Sequence, residues 1–475
     1  MSAESLPDNL IYVSRSTSSA LSKLIVVSNR LPLAFRADTT GAKTPVLSPG
    51  GLVAALAPAL SGTGAAWVGW DGTDSSGEDS LDLGGFVLHP VSLSQALIEQ
   101  HYEGFSNSTL WPLFHDVGVK PDFSRAWWDA YVAVNTMFAD RVSSLLAPGG
   151  TVFVQDYQLM LLPALLRRRR ADARIGYFHH IPFPPSERLS TLNHAQEILE
   201  GLWASDLIGF QRATDCENFR DAAVRASLVA GSTPQPHVSV YPISIDTPSV
   251  GAAASSATVT AKAHAFREGW GQPGTVFLGV DRLDYTKGIP HRLKAYEELL
   301  ASGTVNADDV VFVQAASPSR ENVASYQALS EEIDGLVAHI NHTYIPANGR
   351  DAVIYLRENL AREDMLALFV AADVMVVTSL ADGMNLVAKE FVACRAEDSG
   401  VLILSVHAGA AEHMPEALLV DPYDISAIAH AMQESLLLGA KDIARRMARL
   451  RSEVSTHDVS AWADGILGDL ARREN

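Results

Sequence analysis

The chain has 475 residues, 47% of them hydrophobic and 19% charged, with 36 Lys and Arg against 55 Asp and Glu for a net charge of −19. That length exceeds one ordinary core, so two domains are expected. The acidic balance excludes a nucleic-acid partner, which needs a broad basic surface, and any bound phosphate must be held by a few local cations.

The start, Met1 to Asp8, lacks the cationic and apolar regions of a signal peptide, and the Ser-rich stretch to residue 22 reads as a flexible tail. Strand-like runs then follow at 24–28, 66–70, 86–91, 151–155, 174–179, 207–210 and 238–243, with helical patterns between them at 127–146 and 215–229. The four arginines 167–170 close a helical pattern, where positive charge suits the macrodipole. A domain boundary falls near Asp246, and residues 247–263 read either as a linker or as first helical turns. Further strands are expected at 275–280, 310–315, 352–356, 374–378, 401–405 and 418–420. Residues 459–473 read as a helix that can fold back across the first domain.

Near-continuous apolar strands alternating with helices mean parallel sheets covered on both faces. The fold class is therefore α/β, with two successive doubly wound domains over 23–246 and 247–455, and a terminal segment 456–475. Cys216 and Cys394 are the only cysteines, which excludes a disulfide framework or cysteine zinc site and fits a reducing cytosol. No apolar run is long enough to span a bilayer.

Two strand-to-helix turns carry the chemistry. The first, 281–288, places Arg282 and Lys287 beside Gly288 at a helix start. A guanidinium fork, an ammonium and helix N–H groups together make a clamp for a diphosphate. Taken alone, Arg282 would equally serve a surface pair with Asp281 or Asp284. The second turn, 382–390, reads Asp-Gly-Met-Asn-Leu-Val-Ala-Lys-Glu. Gly383 permits close backbone approach, the amides of Met384, Asn385 and Leu386 can meet a sugar hydroxyl or phosphate oxygen, and Asp382 can accept from a hexose. Glu390 can take both ribose hydroxyls. The plainer alternative makes Asp382 an ordinary N-cap. Both turns together suggest a sugar-nucleotide site.

With these turns, the segments Ser28-Asn29-Arg30, Gly50-Gly51-Leu52, Trp67-Val68-Gly69-Trp70, Phe105-Ser106-Asn107, Leu110-Trp111-Pro112, His180-Ile181-Pro182-Phe183-Pro184 and Arg320 resemble the trehalose-6-phosphate synthase family. The match runs in order over nearly the whole chain. The resemblance implies a retaining glycosyltransferase of GT-B architecture, with the active site in the cleft between two Rossmann-like domains. It implies glucose transfer from a nucleoside diphosphate glucose to glucose 6-phosphate, giving α,α-trehalose 6-phosphate. Donor contacts implied are Gly51, His180, Arg282, Lys287, Asp382, Gly383, Met384, Asn385, Leu386 and Glu390; acceptor contacts are Arg30, Trp70, Tyr102, Trp111, Asp156 and Arg320. Catalytic roles would fall to Arg282, Lys287, His180 and Asp382, the leaving diphosphate itself taking the proton. The implied chemistry uses no metal or other cofactor; UDP-, ADP- and GDP-glucose all remain possible donors.

One departure concerns residues 155–158. The family motif usually reads His-Asp-Tyr-His, whereas Gln155 and Gln158 flank Asp156 and Tyr157 here. A homodimer or homotetramer, cytoplasmic and without nucleic-acid or membrane partners, is expected. Alternatives are a related enzyme with another acceptor (glucosylglycerol-phosphate synthase or a pseudo-glycosyltransferase) or a non-catalytic regulatory subunit. An NAD-dependent dehydrogenase would need a Gly-x-Gly-x-x-Gly turn, which is missing from the sequence.

Overall fold

The computed structural model describes residues 14–16, 21–37, 43–47, 56, 60, 63–73, 80–82, 86–230, 235–320 and 323–472. In chain order its strands are β1 (Ser14–Ser16), β2 (Ser22–Arg30), β3 (Leu33–Ala37), β4 (Lys43–Leu47), β5 (Ala66–Trp70), β6 (Ser80–Asp82), β7 (Val87–Pro90), β8 (Leu146–Gln155), β9 (Arg174–Phe178), β10 (Leu207–Phe210), β11 (His237–Val240), β12 (Thr275–Arg282), β13 (Val310–Ser317), β14 (Val353–Leu356), β15 (Val374–Val377), β16 (Val401–Ser405) and β17 (Leu418–Val420). The chain forms two units: Met1–Phe114, Lys120–Tyr241 and Ala463–Asn475 make the first, while His115–Val119 and Pro242–Trp462 make the second.

The first unit holds a nine-stranded sheet in the order β1-β6-β7-β5-β2-β8-β9-β10-β11. Pairing is parallel from β7 through β11 and antiparallel at β6 and β1. Ile25, Val26 and Val27 of β2 and Val152, Phe153 and Val154 of β8 are fully buried, as strands covered on both faces must be. Ser14–Ser16, expected as part of a tail, instead pairs with Ser80–Asp82 at the sheet edge. A β3–β4 hairpin and a π-helical segment, Ile98–Leu110, are further elements that periodicity did not expose. The Trp111 amide continues that wider winding by donating to Ser106 O, five residues back. The expected 215–229 helix is Ala213–Arg225, ending where Ser227 takes a positive φ of 60°.

The second unit holds six parallel strands in the order β14-β13-β12-β15-β16-β17. Its entry, left open between linker and helix, is helical: Thr247–Ala254 and Ala257–Gly269 are capped by the side chains of Asp246 and Ser256. The arginine run closes the helix Leu162–Arg169, and Arg170 donates to the carbonyls of Leu146 and Ala147. Among the described residues no helix is long and apolar enough to cross a membrane.

The last helix, Val459–Arg472, rejoins the first unit at Ala463. There Leu470 and Ile466 pack over β9 and β10 where glycines leave room; a Cβ on Gly176 would lie 2.6 Å from Leu470 Cδ2, and one on Gly209 2.8 Å from Ile466 Cδ1. Tyr241 Oη donates to Asp469 Oδ2 at 2.8 Å beside them. Leu470 is fully buried, so Leu470→Ala should cost about 2–5 kcal/mol, read as a lower denaturation midpoint in urea.

Candidate active site

In an open parallel sheet, ligands bind at the carboxyl edge where strand order reverses, because adjacent turns leave in opposite directions there. In the first unit the chain lays β5 and β7 on one side of β2, then crosses to β8 on the other. The turns after these strands carry three expected acceptor residues and one expected donor residue, His180. Arg30 ends β2, Trp70 ends β5, Asp156 follows β8, and His180 lies two residues beyond β9.

Local packing fixes each of them. The Arg30 guanidinium lies over Trp70, 5.6 Å from the ring centroid, and Gly72, at φ 90°, makes room for it. Trp70 Nε1 donates to Thr73 O at 2.5 Å, and Tyr102 from the π-helical segment faces the indole at 6.3 Å. Trp111 stands 5.8 Å from Tyr157, whose hydroxyl donates to Asn107 Oδ1 at 2.9 Å. Asp156 adopts φ 72°, uncommon for a residue with a side chain, and its carboxylate accepts from the His180 amide at 3.1 Å. The His180 imidazole meets Gln155 Oε1 through Nε2 at 2.9 Å and the edge of Phe178 at 4.6 Å. Burial pushes His180 down to about 3, so it is neutral at physiological pH.

In the second unit the reversal falls between β12 and β15, because β13 and β14 lie on one side and β16 and β17 on the other. The two turns singled out from sequence follow these two strands. A salt bridge joins them: Lys287 Nζ donates to Asp382 Oδ2 at 2.6 Å, with both side chains only 13% exposed. Asn385 Nδ2 and Ser379 Oγ donate to the same carboxylate oxygen at 3.1 and 3.2 Å. Burial acts to raise the Asp382 carboxyl, but the charge and bond of Lys287 outweigh it and hold the pKa below the usual carboxylate range.

Behind this pair lies a second ring of charge. Asp284, fully buried, accepts from Arg320 Nη1 and Tyr326 Oη at 3.3 Å each and from the Thr286 amide at 3.0 Å. Burial would raise its pKa, yet Arg320, Arg282 and Lys287 bring it down to about 2. Arg320 is held at φ 51°, and its Nη1 also bonds the Tyr326 hydroxyl. Arg282 remains half exposed, 3.9 Å from Asp284.

Neighbouring contacts decide between the two readings of these turns. The N-cap of helix Leu386–Ala393 is Asn385, at φ 73° with its side chain accepting from the Ala388 amide, so Asp382 is not the cap. Of the two carboxylates offered as partners for Arg282, Asp281 pairs instead with Arg292 at 2.7 Å, while Asp284 lies 3.9 Å from Arg282. Lys389 is turned away from the turn and buried, donating to Ile243 O at 2.9 Å. Gly409 packs against this turn, where a Cβ would collide with Gly383 O, and Ala410 N donates to Met384 O at 2.8 Å. Gly51 lies outside the described residues.

Sequence reasoning missed Asp284 with Tyr326, and also Arg292, which is fully buried. Arg292 Nη2 donates to Lys287 O at 2.7 Å and Nε to Thr378 Oγ1 at 2.9 Å, tying both turns from beneath. Its signal in sequence is an arginine at the fourth position of a helix start whose flanking residues Ile289, Pro290 and Leu293 are apolar.

Two doubly wound units with polar and charged turns at their reversal points define the class as a GT-B glycosyltransferase, as the solved relatives bear out. The sequence profile of glycosyltransferase family 20 matches residues 22–472, and the chain belongs to that family. It is 45% identical to trehalose-6-phosphate synthase of Mycobacterium bovis over 476 residues, covering 95% of each chain. With the Mycolicibacterium smegmatis enzyme it shares 43% over 473 residues, covering 96% of this chain and 93% of that one. It also superposes on a UDP-forming α,α-trehalose-phosphate synthase of Burkholderia xenovorans with TM-score 0.86 and 33% identity, covering 95% of this chain and 99% of that one. A second Burkholderia xenovorans structure, in complex with glucose-6-phosphate, aligns with TM-score 0.85 and 31% identity over 94% and 100% of the two chains.

Arg292→Met would strand the buried Asp281 carboxylate and should cost about 3–5 kcal/mol, seen as a fall in the denaturation midpoint. Replacing both partners, Arg292→Met with Asp281→Leu, should recover part of that loss.

Proposed function

We propose that the chain transfers glucose from a nucleoside diphosphate glucose to glucose 6-phosphate with retention, forming α,α-trehalose 6-phosphate. The observation that carries this is the Lys287–Asp382 pair joining the two turns at the reversal point of the second sheet. An ammonium has three donors. One is spent on Asp382, leaving two for phosphate oxygens of the donor. Asp382 keeps lone pairs for hexose hydroxyls, and Arg282, half exposed beside Asp284, supplies a forked contact to the diphosphate.

Charge grows on the leaving diphosphate as the glycosidic bond breaks, so fixed cations stabilise the transition state more than the ground state. Lys287 and Arg282 fill that role, and the departing phosphate accepts the proton from the attacking hydroxyl. No metal or other cofactor enters this scheme. Donor contacts further include His180, Gly383, Met384, Asn385, Leu386 and Glu390, with Gly51. Arg30 and Arg320 take the acceptor phosphate, and Trp70, Tyr102, Trp111 and Asp156 its sugar. UDP-glucose is the first donor to test, because the solved Burkholderia xenovorans relative is described as UDP-forming.

Incubating the purified chain with UDP-, ADP- or GDP-glucose and glucose 6-phosphate should release nucleoside diphosphate and yield a disaccharide phosphate of the expected mass. No release with any of the three overturns the proposal. Lys287→Ala should lower kcat by roughly 10²–10³-fold, in line with loss of one preorganised transition-state donor, while its circular dichroism stays that of the parent; turnover near the parent rate removes Lys287 from the mechanism.

Burial pushes the Glu390 carboxyl up to about 7, with Arg362 acting against it. A carboxylate that accepts from ribose hydroxyls binds them in its ionised form only, so donor affinity should rise as pH increases through 7 and fall below it. Calorimetric titration of the nucleoside diphosphate across that range checks this, and Glu390→Gln should flatten the dependence.

A further inference from the structure

We infer that Gln155 is a positioning residue for His180, holding the imidazole in one neutral tautomer with Nε2 protonated and Nδ1 turned into a hydrogen-bond acceptor for a sugar hydroxyl. The inference rests on the proposed function for the hydroxyl, but the tautomer itself follows from geometry. Gln155 is the last residue of β8, 1% exposed, and its Oε1 lies 2.9 Å from His180 Nε2. With the amide oxygen facing the ring, which can only accept, Nε2 carries the proton and Nδ1 keeps its lone pair; a flipped amide would donate to Nε2 and give the other tautomer, which the nitrogen spectra below distinguish. The amide Nε2 of Gln155 has no partner among the described residues, which leaves the imidazole as its polar contact.

The remaining contacts of His180 fix the ring's place without competing for its proton. Asp156 Oδ1 accepts from the His180 backbone amide at 3.1 Å, and Phe178 presents an edge at 4.6 Å. The neighbouring His179 is engaged elsewhere, with Nδ1 3.0 Å from Tyr177 Oη. Asp156 is thus the charged group next to His180, and it meets the backbone rather than the ring. Gln155 is also where the chain departs from the histidine usual in its family. A second imidazole can donate or accept and can itself ionise within the working pH range. An amide cannot ionise there, so the histidine it holds keeps the same form across that range.

The test is nitrogen NMR of the full chain with labelled histidine, the His180 signals assigned by their loss in His180→Asn. The parent should show His180 neutral with Nε2 protonated. Gln155→Met removes the acceptor and should give a mixture of tautomers, with kcat down about 10-fold or more and KM for both substrates changed less than about two-fold. Gln155→Glu keeps the shape but adds a charge, so His180 should become cationic and the rate profile should gain an ionisation between about pH 5.5 and 8 that the parent lacks. A parent ring protonated at Nδ1 overturns the inference, as does a tautomer unchanged in Gln155→Met or superimposable pH profiles for parent and Gln155→Glu. If the chain turns over neither substrate, the proposed reaction fails while the spectra still decide the tautomer.

Discussion

The salt bridge between Lys287 and Asp382 is the interaction on which the second unit's site depends. Its partners lie 95 residues apart, and only the reversal of strand order between β12 and β15 makes their turns neighbours. Two largely buried opposite charges 2.6 Å apart are costly to separate, since each would be left desolvated. The bridge therefore fixes both turns in one relation before any ligand arrives. Preorganisation of this kind is what makes fixed charges effective against a growing phosphate charge.

Around that bridge the charges are arranged in depth. Asp281 with Arg292 lies beneath the turns, and Asp284 with Arg320 and Tyr326 lies beside them. Each buried carboxylate is matched by an arginine, so the open cationic character of the site comes from Arg282 at the surface. This resolves the apparent conflict between a net charge of −19 and phosphorylated substrates. The cations that matter sit at a sheet edge, where local charge rather than the net charge of the chain decides what can bind. The first unit uses a different device, with Arg30 laid over Trp70 and Asp156 bent into positive φ at the end of β8.

The parallel strands were legible from sequence because doubly covered strands are runs of Val, Ile, Leu and Phe, as in β2, β8, β12 and β15. The edge strands β1 and β6 were not, being short and rich in Ser and Asp. The π-helical segment was also hidden, since a five-residue hydrogen-bond step breaks the usual helical period. Among site residues, Arg282, Lys287, Asp382 and Asn385 announced themselves as polar residues in glycine-containing turns. Arg292, Asp284 and Gly409 did not, because their roles depend on which strands become neighbours. Asn385 at φ 73° takes the capping role that the plainer alternative gave Asp382, leaving that carboxylate for Lys287. Gln155 stood out only as a departure, and its bond to His180 depends on β8 and β9 lying side by side.

The most direct test of the central claim is a double-mutant cycle on nucleoside diphosphate affinity, using Lys287→Met, Asp382→Asn and the pair together, by calorimetry. If the bridge preorganises the two turns, the single losses should overlap, with a coupling above about 1 kcal/mol. Losses that add to within about 0.5 kcal/mol would mean that the two turns act independently, and would contradict the account.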